Sequence, residues 1–86
     1  MNDYFIMLAT VKSVEEKIEV DVIRAEYASG IYWVITSPAT RITDKKGNKI
    51  NKTDLKVGDT VKIIYNGQVM MSYPSQIVAL EIKKNN

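Results

Sequence analysis

The chain has 86 residues, 12 Lys+Arg against 10 Asp+Glu, and neither His nor Cys. That inventory excludes thiolate and imidazole chemistry, zinc fingers, Ser-His-Asp and Cys-His catalytic sets, and any disulfide framework. A hydrophobic share of 45% with 26% charged residues is that of one folded domain spanning residues 1–86, with a thin core and with residues 1–3 and 84–86 expected to fray.

The hydrophobic pattern has period 2 almost throughout. Tyr4 to Val14 reads as one long strand, with Phe5, Met7, Ala9 and Val11 on one face and Ile6, Leu8 and Thr10 on the other. Its first half is apolar on both faces, which suits a strand buried on both sides or one that curves from one sheet into another. Glu15-Glu16-Lys17 is a polar turn, and Ile18, Val20 and Val22 then alternate with Glu19 and Asp21 in a half-buried strand. Arg24 to Gly30 is ambiguous between a helical turn and a bend. Ile31 to Thr36 is rich in aromatic and β-branched residues and predicts a strand ended by Ser37-Pro38. Ala39 to Thr43 is a short extended piece, and Asp44-Lys45-Lys46-Gly47-Asn48 is a turn in which Gly47 takes positive φ. Side-chain oxygens in Asn51-Lys52-Thr53-Asp54 can cap a short helical or 3₁₀ turn. Thr60 to Tyr65 is a strong strand, Asn66-Gly67 a turn, Gln68 to Gln76 a loop. Ile77 to Lys83 is the closing strand, with Ile77 and Ala79 on one face and Val78, Leu80 and Ile82 on the other.

These five principal strands predict an all-β fold, a small Greek-key barrel of the oligonucleotide/oligosaccharide-binding (OB) type. A short helical turn would sit between strands three and four. The long first strand and the long connection from Ser37 to Asp59 favour this over an SH3-like barrel, the alternative.

Two places stand out as candidate ligand sites. The loop Gly67–Gln76 carries Met70, Met71 and Tyr73, with Gln76 at its end. In a barrel of this type it flanks the common ligand face, where Met adapts to varied partners and Tyr73 can stack. The competing reading is structural: one Met plugs the barrel end and Tyr73 covers it. Tyr32 and Trp33 form the second candidate. Tyr32 with Tyr27 and Tyr65, near Lys62 and Arg24, would make a stacking platform for single-stranded nucleic acid. Alternatively, Trp33 is the main core residue. Parity alone leaves open which of Tyr32 and Trp33 points inward.

Net charge is +2, but it is unevenly spread: Met1–Thr43 sums to −2 and Asp44–Lys62 to +3. Lys45, Lys46, Lys49, Lys52 and Lys62 make a basic patch. It is a weak footprint for nucleic acid, because no aromatic residue interrupts it and three aspartates dilute it. Glu19 and Asp21 share an outward face and read as solvation. Asp44, Asn48 and Asp59 lack calcium-loop spacing, and the glycines stand singly at 30, 47, 58 and 67. No catalytic residues, metal or cofactor are therefore expected. The expected activity is non-enzymatic binding of a small ligand, peptide or protein. Nucleic-acid binding is one alternative, and a structural module that self-associates through strand edges is another. No stretch is apolar enough to span a bilayer, and the chain start has no basic region of an export signal. The cytoplasm is the default expectation.

The segment Asp54-Leu55-Lys56-Val57-Gly58-Asp59-Thr60-Val61-Lys62-Ile63, then Tyr65-Asn66-Gly67 and Ser72-Tyr73-Pro74-Ser75-Gln76-Ile77-Val78-Ala79, resembles the C-terminal half of the YobA-like family. Those are small bacterial proteins of unknown function, often secreted or lipid-anchored. The resemblance covers about a third of the chain, with a looser likeness over Tyr32–Ile42. It implies an OB-like barrel and carries over no activity, cofactor or site. An export segment preceding this sequence would make the protein extracellular or lipid-anchored.

Overall fold

A computed structural model describes residues 3–86. The expected fraying of residues 1 and 2 lies outside the described residues. The elements in chain order are β1 (Phe5–Val14), β2 (Ile18–Ala25), β3 (Gly30–Ile35), β4 (Arg41–Thr43), a 3₁₀ turn (Lys52–Asp54), β5 (Thr60–Tyr65) and β6 (Ser75–Lys84). All the expected strands are present, the short extended piece at 41–43 included. The ambiguous segment 24–30 is the end of β2 followed by a bend, and it holds no helical turn.

The sheet runs β3-β2-β1-β5-β6-β4, and a further pairing of β3 with β6 closes it. The result is a closed five-stranded barrel, β1-β2-β3-β6-β5, with β4 added along the second half of β6. Neighbours within the barrel are antiparallel except at the β3–β6 seam, where Tyr32 to Ile35 run parallel to Ser75 to Val78. Among the described residues, no helix is long and apolar enough to cross a membrane.

The period-2 faces place the core as their sequence requires. Met7, Ala9 and Val11 of β1, Ile18 and Val20 of β2, Val61 and Ile63 of β5, and Ile77 and Ala79 of β6 fill the barrel. Tyr32 and Val34 enter from β3, and Leu55, beyond the 3₁₀ turn, is also buried.

Three bulges let these strands bend into a cylinder. Lys12 is the extra residue of β1, Ile23 that of β2 and Leu80 that of β6. Each adds a residue to one strand, increases local twist and resets which side chains point inward. The bulge at Leu80 corrects one expectation: Ile82 does not share the outer face of Val78 and Leu80 but is buried with Ile77 and Ala79. The first strand follows the second of its two readings. It curves, pairing with β5 through Phe5–Thr10 and with β2 through Met7–Val14. It is not buried on both sides, since Ile6 is 54% exposed.

The turns obey local chemistry. Asp44 accepts backbone hydrogen bonds at Oδ1 from Lys46 and Asn48 (both 2.9 Å), and Gly47 takes φ +90° as expected. The bonds from Asn48, foremost, and from Lys46 and Gly47 hold the Asp44 carboxyl below the usual aspartate range. Asn51 opens the 3₁₀ turn reciprocally with Asp54, whose Oδ2 accepts from the Asn51 amide at 2.8 Å. The Val57-Gly58-Asp59 turn fastens β5 to β1: Gly58 N donates to Val11 O and Val11 N to Asp59 O, each at 2.8 Å. Asp59 is buried, accepts from Lys56 N at 2.8 Å and pairs with Lys84 at 3.5 Å. It also receives the Asn86 amide at 3.2 Å, while Asn85 N donates to Thr60 O at 2.8 Å. Residues 84–86 thus all bond to Asp59 or Thr60 at the start of β5. Thr40 bridges the β3–β4 loop to β6, donating to Ala79 O at 2.7 Å and accepting from Ser37 N at 2.9 Å.

Candidate ligand site at the β3–β6 seam

β3 pairs with β2 from Gly30 onward but with β6 only from Tyr32. The seam therefore opens at its upper end, because β6 begins at Ser75, immediately after Pro74, which has no amide proton to offer a neighbouring strand. A cavity of about 470 Å³ lies there, lined by Ser29, Gly30, Ile31, Tyr32, Tyr73, Pro74 and Ser75. Its size falls in the range of small-molecule sites, about 300–1,000 Å³.

The loop before β6 is anchored at its base and free at its tip. Met70 and Gln76 exchange backbone hydrogen bonds, Met70 N to Gln76 O at 2.8 Å and Gln76 N to Met70 O at 3.1 Å. Ser72 Oγ donates to Pro74 O at 2.7 Å, and Gln76 Nε2 donates to Ser72 Oγ at 3.0 Å. The Tyr73–Pro74 peptide bond is cis. On this frame Met71 is 89% exposed and Tyr73 fully exposed at 102%, while Met70 is 47% exposed. The reading in which a methionine plugs the barrel and Tyr73 covers it is thereby corrected. The barrel interior is filled by strand residues and Leu55, and the loop's inward contact is made by Val69, which packs against that core.

The ambiguity at Tyr32 and Trp33 resolves by register. Val34 pairs with Ile18 and Ile77, all three facing the core, so Tyr32, two residues earlier, also points inward. Trp33 is on the outer face and is not the main core residue. Its register partners are Glu19 and Gln76. Lys17 joins this trio, with Nζ 4.8 Å from the Trp33 ring centroid and donating to Gln76 Oε1 at 2.8 Å. Tyr32 and Tyr73 thus share one cavity, and Trp33 and Gln76 form an adjoining outer cluster held by Lys17.

The stacking platform expected from Tyr27, Tyr32 and Tyr65 does not form. Tyr32 and Tyr65 are core residues, and burial, reinforced by neighbouring Tyr32, pushes the Tyr65 hydroxyl above its ordinary pKa. Tyr27 is exposed and meets Phe5 edge-on, 5.7 Å between ring centroids. The five lysines of the expected basic patch come from three places in the fold. Lys45, Lys46 and Lys49 belong to the turn after β4, whereas Lys52 donates to Glu16 O at 3.1 Å beside the β1–β2 turn. Lys62 sits on β5 opposite Leu8.

Ser29, Ile31, Pro74 and Lys17 were not singled out by sequence as site residues. Gly30 was read only as a bend, and Lys17 only as part of a polar turn. A seam that opens at one end leaves no mark in either strand's own pattern. A wider depression of about 620 Å³, lined by Asp3, Tyr4, Phe5, Asn66, Gly67, Gln68 and Leu80, contains none of the expected site residues.

Fold and site define a small closed mixed β-barrel with a loop-lipped cavity at its parallel seam. The chain belongs to the family described as "Protein of unknown function (DUF3221)", whose model matches residues 2–83. Neither curated proteins nor solved structures yield a match.

Proposed function

We propose that this protein is a non-catalytic binding module of the OB type, in which the cavity between the start of β3 and the β5–β6 loop receives a small ligand or the side chain of a peptide or protein. The strand order around the barrel, with a parallel closing pair, supports the OB reading. The YobA-like motifs at Leu55–Asp59 and Ser72–Gln76 fit the same group: one is the turn that fastens β5 to β1, the other the lip of the cavity.

One observation carries the reading. In a chain with seven aromatic residues, counting five Tyr, one Trp and one Phe, Tyr73 is held wholly in water beside Met71, on a loop braced by Gln76 and Ser72. A braced loop that presents an aromatic residue it does not pack is suited to contact with something else.

Amide chemical-shift mapping against a mixed panel of small aromatics, sugars and short peptides tests this. Ligands that bind should shift Ser29–Tyr32 and Tyr73–Gln76 together. Tyr73→Ala should weaken binding at least tenfold, about 1.4 kcal/mol, while changing stability by less than about 0.5 kcal/mol. Hits that map consistently elsewhere on the barrel, or that ignore Tyr73→Ala, would remove the site.

A further inference from the structure

Cross-strand register builds a row of charges that no stretch of sequence contains. On the outer face, Leu8 of β1 stands opposite Arg24 of β2 on one side and Lys62 of β5 on the other. Lys62 in turn stands opposite Lys83 of β6. At ~4.8 Å per strand the row spans about 14 Å from Lys83 to Arg24. The one ion pair among the described residues is Lys84–Asp59, so Arg24, Lys62 and Lys83 have no carboxylate within bonding reach. The acidic groups nearby are Glu26, which lines a depression of about 390 Å³ with Ile6, Leu8, Arg24, Ala25 and Lys62, and Glu81, opposite Arg41 on β4. Asp21, opposite Thr10 of β1 and Ile31 of β3, flanks the row one outward position along, and Glu19, opposite Ser13 and Trp33, lies farther off.

The row next to the charges is aliphatic on β1 and β5, where Ile6 pairs with Ile64; on β6 it holds Glu81, opposite Ile64, with the bulged Leu80 standing out beside it. Ile6 and Leu80 are exposed, and Leu8 and Ile64 half-buried.

We propose that this outer face of β1, β5 and β6, with Arg24, is a peripheral docking surface for an anionic lipid bilayer. Cations side by side with aliphatic side chains match the headgroup–acyl boundary, where lipid phosphates meet the first and hydrocarbon the second. A single-stranded nucleic acid would call for aromatic groups between the cations, and this row has none. The surface is separate from the Tyr73 cavity and does not depend on the ligand reading above.

Co-sedimentation of the full chain with vesicles of phosphatidylcholine, alone or with roughly 30% phosphatidylglycerol, tests it at about 50 mM and about 500 mM salt. Binding to the anionic vesicles at low salt should exceed binding to the neutral ones at least tenfold and should fade at high salt. At about fivefold per charge, the triple variant Arg24→Gln/Lys62→Gln/Lys83→Gln should lose about a hundredfold. Ile6→Ser should weaken binding with charge unchanged. Lys45→Gln/Lys46→Gln/Lys52→Gln, which removes equal charge elsewhere, and Tyr73→Ala should both bind within about threefold of the parent. Thermal melts establish that each variant is folded. Absence of binding to anionic vesicles, or equal loss in both triple variants, overturns the proposal. So does a single-stranded oligonucleotide that binds more tightly than the vesicles and is lost with the Arg24/Lys62/Lys83 variant, which would assign the row to nucleic acid.

Discussion

At the scale of single residues, two kinds of position behave oppositely. Tyr73 and Met71 can change without touching the fold. Gly67 cannot. It closes the β5–β6 turn at φ +88°, where side-chain-bearing residues are strained, and a Cβ placed there would collide with the Phe5 ring. That ring already packs against Tyr65 at 5.9 Å and Tyr27 at 5.7 Å, so it has little room to retreat. Gly67→Ala should therefore destabilise the protein by about 1–3 kcal/mol, read as a fall in thermal midpoint of about 4–8 °C per kcal/mol. A midpoint within a degree of the parent would show that Phe5 yields freely. Gly67 was legible in the sequence as part of an Asn-Gly turn, but its closeness to Phe5 was not, because the turn and the chain start meet only when β1 pairs with β5.

At the scale of elements, strand existence was legible and strand parity was not. Alternation of β-branched and polar residues marks β2 over Ile18–Val22 and β5 over Thr60–Ile63, since only one face of each stretch can be buried. β3 and β6 are apolar on both faces, as Ile31-Tyr32-Trp33-Val34 and Ile77-Val78-Ala79-Leu80 illustrate. There the inward set is chosen by the partners. The bulge at Leu80 is the sharpest case, because it lets Ala79 and Ile82, an odd number of positions apart, both face the core. Deletion of Leu80 would remove the extra residue and leave Ala79, Glu81 and Ile82 in strict alternation with Ile82 still inward, so it should cost less than emptying the core site itself. Ile82→Ala, which empties that site, should cost about 2–5 kcal/mol, seen as a lower denaturant midpoint with the slope unchanged. Equal losses in the two variants would mean that the bulge, and not the isoleucine, carries the stability of β6.

At the scale of the whole molecule, closure of the barrel decides both the core and the surface. It buries Tyr65 against Tyr32, which raises the Tyr65 pKa above the ordinary value of 10.0. The unfolded chain loses that proton first as pH rises, so the native state binds more protons than the unfolded one above about pH 10. Stability associated with Tyr65 is therefore complete below that pH and declines as pH climbs toward the folded value. Denaturation at pH 8 and pH 11 should show a smaller alkaline loss in Tyr65→Phe than in the parent, with a ceiling of about 1.4 kcal/mol per pH unit for the single proton. Equal losses would place the alkaline sensitivity elsewhere. The pairing of β2, β1, β5 and β6 also sets three cations in one row, although the sequence shows a basic centre and an acidic start.

The order of amino acids by itself determined what each stretch could be: six extended segments, a capped 3₁₀ turn, glycine-dependent turns, and a residue inventory without imidazole or thiol. These follow from local sterics, hydrogen-bond chemistry and period-2 burial, which act over a few residues. Only the tertiary structure decided which face of β3 looks inward, that Ile82 crosses to the core, that the seam opens beside Tyr32, and that Arg24, Lys62 and Lys83 align. Those outcomes depend on register between strands distant in the chain, and register is set by the fit of all the faces at once when the sheet closes on itself.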